Sequence, residues 1–304
     1  MFTKNLTLMI ATLLLSGSVM AITPPDTSYW HRTTEAGLTF SQSSMTNWAA
    51  GGSNSVAVST YLNVLMNYKK ENVNWDNSLE LGYGMLKTEG LGLRKNDDKI
   101  NLSSKYGYRA AENWNYSALL SFKSQFANGY AYDVNDSVAI SRFLAPAYIL
   151  LGVGMDYKPN DMLSIFMSPL SARVTLVTDQ DLANAGAYGV DKAVYDANGD
   201  MITKGSNSRL EVGASFKMLY KKEIIKNVSF QSTLQLFTDY IKDPQNVDMD
   251  WEVIMLFKVN QFIQANLNTH ILYDHDINIT TKDGSIGPRT QFKEVFGLGF
   301  VVKF

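Results

Sequence analysis

The 304-residue chain contains no cysteine. That excludes structural disulfides, thiolate metal sites, a cysteine nucleophile and the lipid-bearing cysteine of a bacterial lipoprotein. Histidine is scarce: His31, His270 and His275 are the three in the chain, which leaves little imidazole for catalysis or metal binding. The formal net charge of −2 argues against a strongly charged partner, and no basic patch of the kind nucleic acid requires is present. Past the N-terminal segment, no stretch approaches the ~18 uninterrupted apolar residues that a membrane-spanning helix needs.

The N-terminal segment has its own logic. Lys4 supplies a short positive region, Leu6 to Leu15 a mostly apolar core, and Val19-Met20-Ala21 a small-residue cleavage site. This is the pattern of a cleavable export signal over residues 1–21, with the mature chain starting at Ile22. The apolar run is too short for a stable spanning helix. The remainder, 22–304, reads as one domain.

That domain alternates apolar and polar residues with a period of two, the mark of half-buried strands. Val56, Val58, Thr60, Leu62, Val64, Met66 and Tyr68 share one face, against Ser55, Ser59, Asn63 and Asn67. The scheme repeats with Trp75, Leu79, Leu81, Tyr83 and Met85 against Asp76, Ser78, Glu80, Gly82 and Gly84. It returns over Ile100 to Tyr108, Trp114 to Phe126, Ile149 to Tyr157, Leu210 to Tyr220, Val228 to Tyr240, Met249 to Val259 and Ile263 to Tyr273. Thr33 to Phe40 and Leu163 to Leu176 are weaker, the second because Pro169 obscures its register. With a terminal strand, about twelve strands are expected, many longer than the ~5–6 residues usual in soluble proteins. The expected fold is all-β, an antiparallel transmembrane barrel.

Connection lengths alternate too. Short ones fall at Lys70 to Asn74, Ala111 to Asn113, Lys158 to Asp161, Lys221 to Asn227 and around Asn260. Longer ones fall at Thr88 to Asp97, Ala127 to Ser141, Val177 to Gly205, Ile241 to Asp248 and His275 to Arg289. A membrane barrel has short periplasmic turns and long outer loops, and an even strand number puts both termini in the periplasm. Tyr68, Trp75, Tyr108, Trp114, Tyr116, Tyr157 and Tyr220 lie beside short turns, and Phe126, Tyr240, Trp251, Tyr273 and Phe292 beside long loops. Two such groups suit the two interfaces of a bilayer.

Candidate chemistry on this frame is sparse. His270 is expected to face inward beside Asn268, but no serine elbow accompanies it. Tyr273-Asp274-His275-Asp276 offers oxygen and imidazole groups at the outer mouth without a full ligand set. Asp196-Ala197-Asn198-Gly199-Asp200 has its glycine in the wrong place for a calcium loop. Asn198-Gly199 reads instead as a hairpin turn that extends the longest loop beyond the membrane. No catalytic, metal or cofactor residue is assigned. The inner face carries both charge signs, and its candidate lumen residues are Glu80, Lys105, Arg109, Lys123, Arg209, Glu211, Lys217, Glu252 and His270. They line a narrow wet pore or form an ion-pair network that plugs it; the residues alone fit both.

The last strand places Phe292, Phe296, Leu298, Phe300, Val302 and Phe304 on one face. Ending on Phe304, it resembles the signal read by outer-membrane barrel assembly machinery, which with membrane lipid is the expected partner. Asn47-Trp48-Ala49-Ala50-Gly51-Gly52 and Ser168-Pro169-Leu170 resemble a domain-of-unknown-function family of Bacteroidota outer-membrane proteins, over nearly the whole mature chain. The resemblance implies a barrel in the bacterial outer membrane and no substrate. The block itself also reads as a tight loop, with glycines for positive φ. The expected function is a passive channel for small polar solutes. The alternatives are a structural or assembly component, and a membrane hydrolase, which would need a serine against His270.

Overall fold

The computed structural model describes residues 29–44, 53–132, 135–280 and 285–304. The expected export signal over 1–21 and the block Asn47 to Gly52 lie outside the described residues. Twelve strands form one closed barrel. They are β1 Trp30–Ser43, β2 Ser55–Lys70, β3 Val73–Thr88, β4 Leu93–Arg109, β5 Trp114–Ser124 and β6 Ala147–Asn160. The circuit continues with β7 Leu163–Leu176, β8 Ser208–Ile225, β9 Val228–Asp239, β10 Asp248–Lys258, β11 Ile263–Tyr273 and β12 Gln291–Lys303. Each pairs antiparallel with the next, and β12 closes on β1.

The alternation decides what each wall face meets. On β5, Tyr116 and Leu120 are exposed outside, whereas Leu119 between them is 1% exposed inside. Outward Leu151, Val153, Leu210, Phe296 and Phe300 are all more than half or about half exposed. An apolar surface running round a closed cylinder is incompatible with water and suits lipid. Among the described residues no helix is long and apolar enough to cross a membrane; the strands, 11 to 18 residues long, meet or exceed the ~9–11 that a tilted spanning strand needs. The chain is a transmembrane β-barrel.

Polar groups on the lipid face are covered by tryptophans. The Trp75 indole N–H donates to Ser104 Oγ at 2.8 Å, and that of Trp251 to Ser232 Oγ at 2.9 Å. Each pairing satisfies a hydroxyl that lipid could not. At the short-turn rim Trp30, Tyr68, Trp75 and Tyr106 form a run of ring contacts 5.2 to 6.5 Å apart, with Trp114 against Tyr157 at 4.9 Å further round. Trp30 and Tyr106 join the aromatic rows expected from the sequence.

Two connections differ from expectation. Thr88 to Asp97 is mostly strand: β3 and β4 stay paired out to Lys87↔Leu93, past an irregularity at Gly84/Met85. Residues 94–99 are polar throughout, so no apolar alternation marks them. A ladder rising out of lipid needs none. Val177 to Gly205 does contain the expected hairpin, Val194–Tyr195 with Met201–Thr203, and Gly199 has a φ of 88°. The segment does not simply extend outward, however. Its helix Gln180–Asn184 is capped by Asp179, and Val177, Ala183 and Val190 are buried with Ala145 against Leu182 and Tyr188.

The weak β7 is explained by a break at Pro169, where pairing skips between Val153 and Met155 on one side and Gly213 and Ser215 on the other. Proline has no N–H to give the ladder. Ser168 Oγ lies 2.8 Å from the carbonyls of both Val153 and Leu170, and the Tyr240 hydroxyl donates to the Pro169 carbonyl at 2.9 Å. Gly154 is required here, because a Cβ would run into the Met167 carbonyl.

The closing ladder is the short one. It runs from Glu35↔Lys303 to Phe40↔Leu298, whereas β1–β2 runs from Trp30↔Tyr68 to Ser43↔Ser55. Lys303 adds an ion pair to Glu35 at 2.7 Å, and Thr34 and Phe304 exchange backbone hydrogen bonds.

Candidate functional site

The inward face of β4 presents Lys99, Asn101, Ser103 and Lys105 in succession. Lys99 reaches Glu80 on neighbouring β3 at 2.9 Å and Glu252 on β10 at 3.2 Å. In a ring of twelve, β4 and β10 are diametrically opposed. Lys123 on β5 reaches Asp250 on β10 at 2.7 Å and Gln235 on β9 at 2.5 Å. Asp250 also holds His270 Nε2 at 3.0 Å, and Glu252 accepts from Asn268 at 3.0 Å. Two ion pairs thus cross the lumen from wall to wall.

Nearer the short turns, Lys105 engages Asp156 at 2.7 Å and Ser164 Oγ at 2.6 Å, and Lys158 reaches Asp76 at 2.9 Å. Lys217 on β8 crosses to Ser103 Oγ on β4 at 3.0 Å. The lumen is not uniformly polar. Leu119 and Phe166 point inward at 1% exposure, so the β5–β7 side is packed shut. Glycine and serine on the same strands let the walls approach that closely.

At the long-loop end a second network closes the mouth. Arg173 makes a two-pronged pair with Glu211, at 2.7 and 2.5 Å, and also meets Asp248 at 2.6 Å. Its guanidinium lies 4.3 Å from the Phe237 ring centroid. Arg209 pairs with Glu211 at 2.5 Å and with Asp276, and donates to the Gly189 carbonyl at 3.3 Å. The Tyr188 hydroxyl donates to the Ile140 carbonyl at 2.7 Å. The segment between β7 and β8 therefore touches both the β5–β6 and the β11–β12 connections, and spans the mouth. Burial pushes the Tyr188 hydroxyl up to about 12. Burial likewise lifts Asp274 to about 6, with Arg173 opposing and Asp248 adding to the rise. Burial alone would raise Asp276 as well, but Arg209, helped by Lys242, holds it below the usual carboxylate range.

These contacts settle where other candidates point. Asp274 and Asp276 turn to arginines, and His275 Nδ1 lies 3.2 Å from the Tyr273 hydroxyl. Asp196 caps the amides of Asn198 and Asp200 at 2.9 and 2.8 Å, as a hairpin turn requires. The partner of His270 is a carboxylate, not a serine.

Of the residues singled out in the sequence, Glu80, Lys123, Lys217, Glu252 and His270 meet in the central lumen, Lys105 lies beside them toward the short turns, and Arg209 and Glu211 meet at the mouth. Arg109 stands apart, exposed at the short-turn end of β4, and Phe304 is exposed at the closing seam. Lys99, Asp156 and Arg173 were not singled out. Parity with Asn101 and with Gly154 marks the first two; the break at Pro169 hides the third.

The closed meander, the lipid-facing exterior and the ionised interior together define a bacterial outer-membrane β-barrel. Residues 40–130 match the family described as protein of unknown function (DUF3078), a shorter stretch than the near full-length resemblance seen in the sequence. No curated protein sequence matches. Among solved structures, the chain is similar to an outer membrane channel from Pseudomonas putida F1, at 13% identity and a TM-score of 0.40, over 92% of this chain and 99% of that one. It is also similar to the NanC porin, at 10% identity and a TM-score of 0.36, over 89% and 97%. The translocator domain of the autotransporter NalP from Neisseria meningitidis gives 10% and 0.35, over 90% and 87%. Nothing about a solute follows from similarity at this level.

Proposed function

We propose that the protein is a narrow outer-membrane channel for small polar solutes, held shut at rest by ion pairs across its lumen. The carrying observation is the meeting of Lys99 with Glu252 and Lys123 with Asp250 from opposite walls. These four side chains keep between 17% and 34% of their surface exposed, so water reaches them. Side-chain rotation alone, with no movement of the walls, can part such partly exposed pairs. Charged constrictions of this kind select by charge and size.

The same reading takes residues 1–21 as a cleaved export signal and the exposed Phe304 as the mark read by the assembly machinery. A chain lacking Phe304 should then accumulate unassembled. The match over residues 40–130 supports membership of the family of unknown function, and names no solute.

The test is single-channel recording of the refolded mature barrel in planar bilayers. Small discrete steps are expected, with Lys99→Gln plus Lys123→Gln raising the conductance severalfold. Silence from folded wild type and folded double variant alike sinks the channel reading. It would leave a non-transporting structural component, the reading that the tight packing of Leu119 and Phe166 in the lumen favours.

A further inference from the structure

We propose that Lys217 is an anion-docking station inside the lumen, where a single small oxyanion of carboxylate or phosphate type binds. Its role in transport rests on the channel reading above; the binding itself does not.

The argument is one of uneven pairing. Among the described residues, the lysines Lys99, Lys105, Lys123 and Lys217 point into the lumen beside the carboxylates Glu80, Asp156, Asp250 and Glu252, with the Lys158–Asp76 pair beyond them toward the short turns. Lys99 takes both Glu80 and Glu252, Lys105 takes Asp156, and Lys123 takes Asp250. Among the described residues, Lys217 is left with the hydroxyl of Ser103 at 3.0 Å and no carboxylate in ion-pair contact. An ammonium carries three donors and no acceptor, so a neutral hydroxyl answers neither its charge nor its remaining hydrogens. An incoming anion would have to displace a carboxylate at any of the other three lysines. At Lys217 it displaces no charge.

The surroundings strengthen the position. Lys217 stands opposite Gln235 in the β8–β9 ladder, and Gln235 is the group that accepts from Lys123 at 2.5 Å. Ser103 is one inward position from Lys105 on β4. Two further ammonium groups therefore flank the station, each already paired to its own carboxylate, Lys123 to Asp250 and Lys105 to Asp156. On its other side, in the β7–β8 ladder, Lys217 faces Phe166, which is 1% exposed. A wall without water lowers the local dielectric and lengthens the reach of each charge. The Ser103 hydroxyl, which accepts from Lys217, has its own hydrogen to give to the same anion. Lysine presents a point charge where arginine presents a planar fork, so a compact oxyanion suits the site better than an extended planar one.

The test has two readouts. The mature barrel is refolded in micelles with isotope-labelled lysine, and the Lys217 signal, assigned from its loss in Lys217→Gln, is followed during titration with acetate and with inorganic phosphate. A saturable shift at Lys217, larger than at Lys99, is expected. No shift in the folded barrel overturns the proposal. A response to one anion alone identifies the chemistry.

In bilayers, Lys217→Gln should lower the anion-to-cation permeability ratio severalfold, because one fixed positive charge leaves a confined path, and Lys217→Arg should restore most of it. Folding of each variant is checked by its heat-modifiable gel migration. A conducting wild type whose ratio ignores Lys217→Gln removes the transport role. A silent wild type with a saturable Lys217 shift retires the channel and keeps the site.

Discussion

Lys99 and Glu252 stand on strands that face each other across the full ring of the barrel, and their side chains meet at 3.2 Å. The free passage at that level is therefore set by two side chains and not by the walls. Removing charge and removing volume should have separable effects. Glu252→Gln keeps the length and weakens the attraction, whereas Glu252→Ala leaves a gap. Single-channel conductance should rise modestly in the first and several times more in the second. Equal conductances in the two variants would place the constriction elsewhere.

The lipid-facing wall gives a prediction independent of any transport. Val153, near the middle of β6, points outward and is half exposed. In a water-soluble barrel an arginine there would be harmless. Facing lipid, Val153→Arg should cost about 2–4 kcal/mol, as charged groups do near the midplane. Denaturant unfolding in vesicles measures it, and an unchanged midpoint would refute the lipid assignment of that face.

Glu211 holds the mouth together. It is 1% exposed and takes both Arg173 and Arg209. Glu211→Gln keeps the shape but leaves two buried guanidinium groups short of a charge. Breaking a buried pair in this way costs about 3–5 kcal/mol, and Asp248 and Asp276 recover part of it. The temperature at which the folded band is lost on a gel should fall clearly. A variant as heat-resistant as wild type would show that the network contributes little.

Asp274 makes the mouth sensitive to pH. Burial raises it to about 6 from an ordinary value near 3.8, against the pull of Arg173. A carboxyl that is raised in the folded state holds its proton more tightly there than when unfolded. Its contribution to stability therefore falls as pH climbs from about 4 to about 6, and stays lost above that. Asp276, held low by Arg209, works in the opposite sense, contributing above about 4 and losing that contribution at more acid pH. Between about pH 4 and about pH 6, cleavage of the β7–β8 segment by added protease should quicken, and Asp274→Asn should flatten the dependence. A profile identical in the variant would assign the change to another group.

Much of this was legible in the chain. Period-two alternation located all twelve strands, because each wall divides lipid from lumen and the residues must alternate to match. It failed where that division lapses. The β3–β4 ladder continues past Gly84 into residues with no apolar face, so Lys99 lay at the blurred start of a strand. The break at Pro169 shifts the parity of everything after it in β7, which hid Arg173. The inward direction of Lys105, Lys123, Lys217 and Glu252 followed from parity. Their pairings did not, since a contact between strands two to six places apart in the ring depends on how wide that ring closes, and no local pattern records that.

The seam between β1 and β12 bears on mechanical failure. A cylinder of hydrogen-bonded staves parts along its weakest joint, and here that joint spans only Glu35↔Lys303 to Phe40↔Leu298. Its Glu35↔Lys303 end is clasped by the ion pair between those two residues and by the exchange between Thr34 and Phe304. Under lateral tension the cylinder would unroll from this line into a curved sheet, with β1 and β12 as its two free edges and the other ladders still zipped.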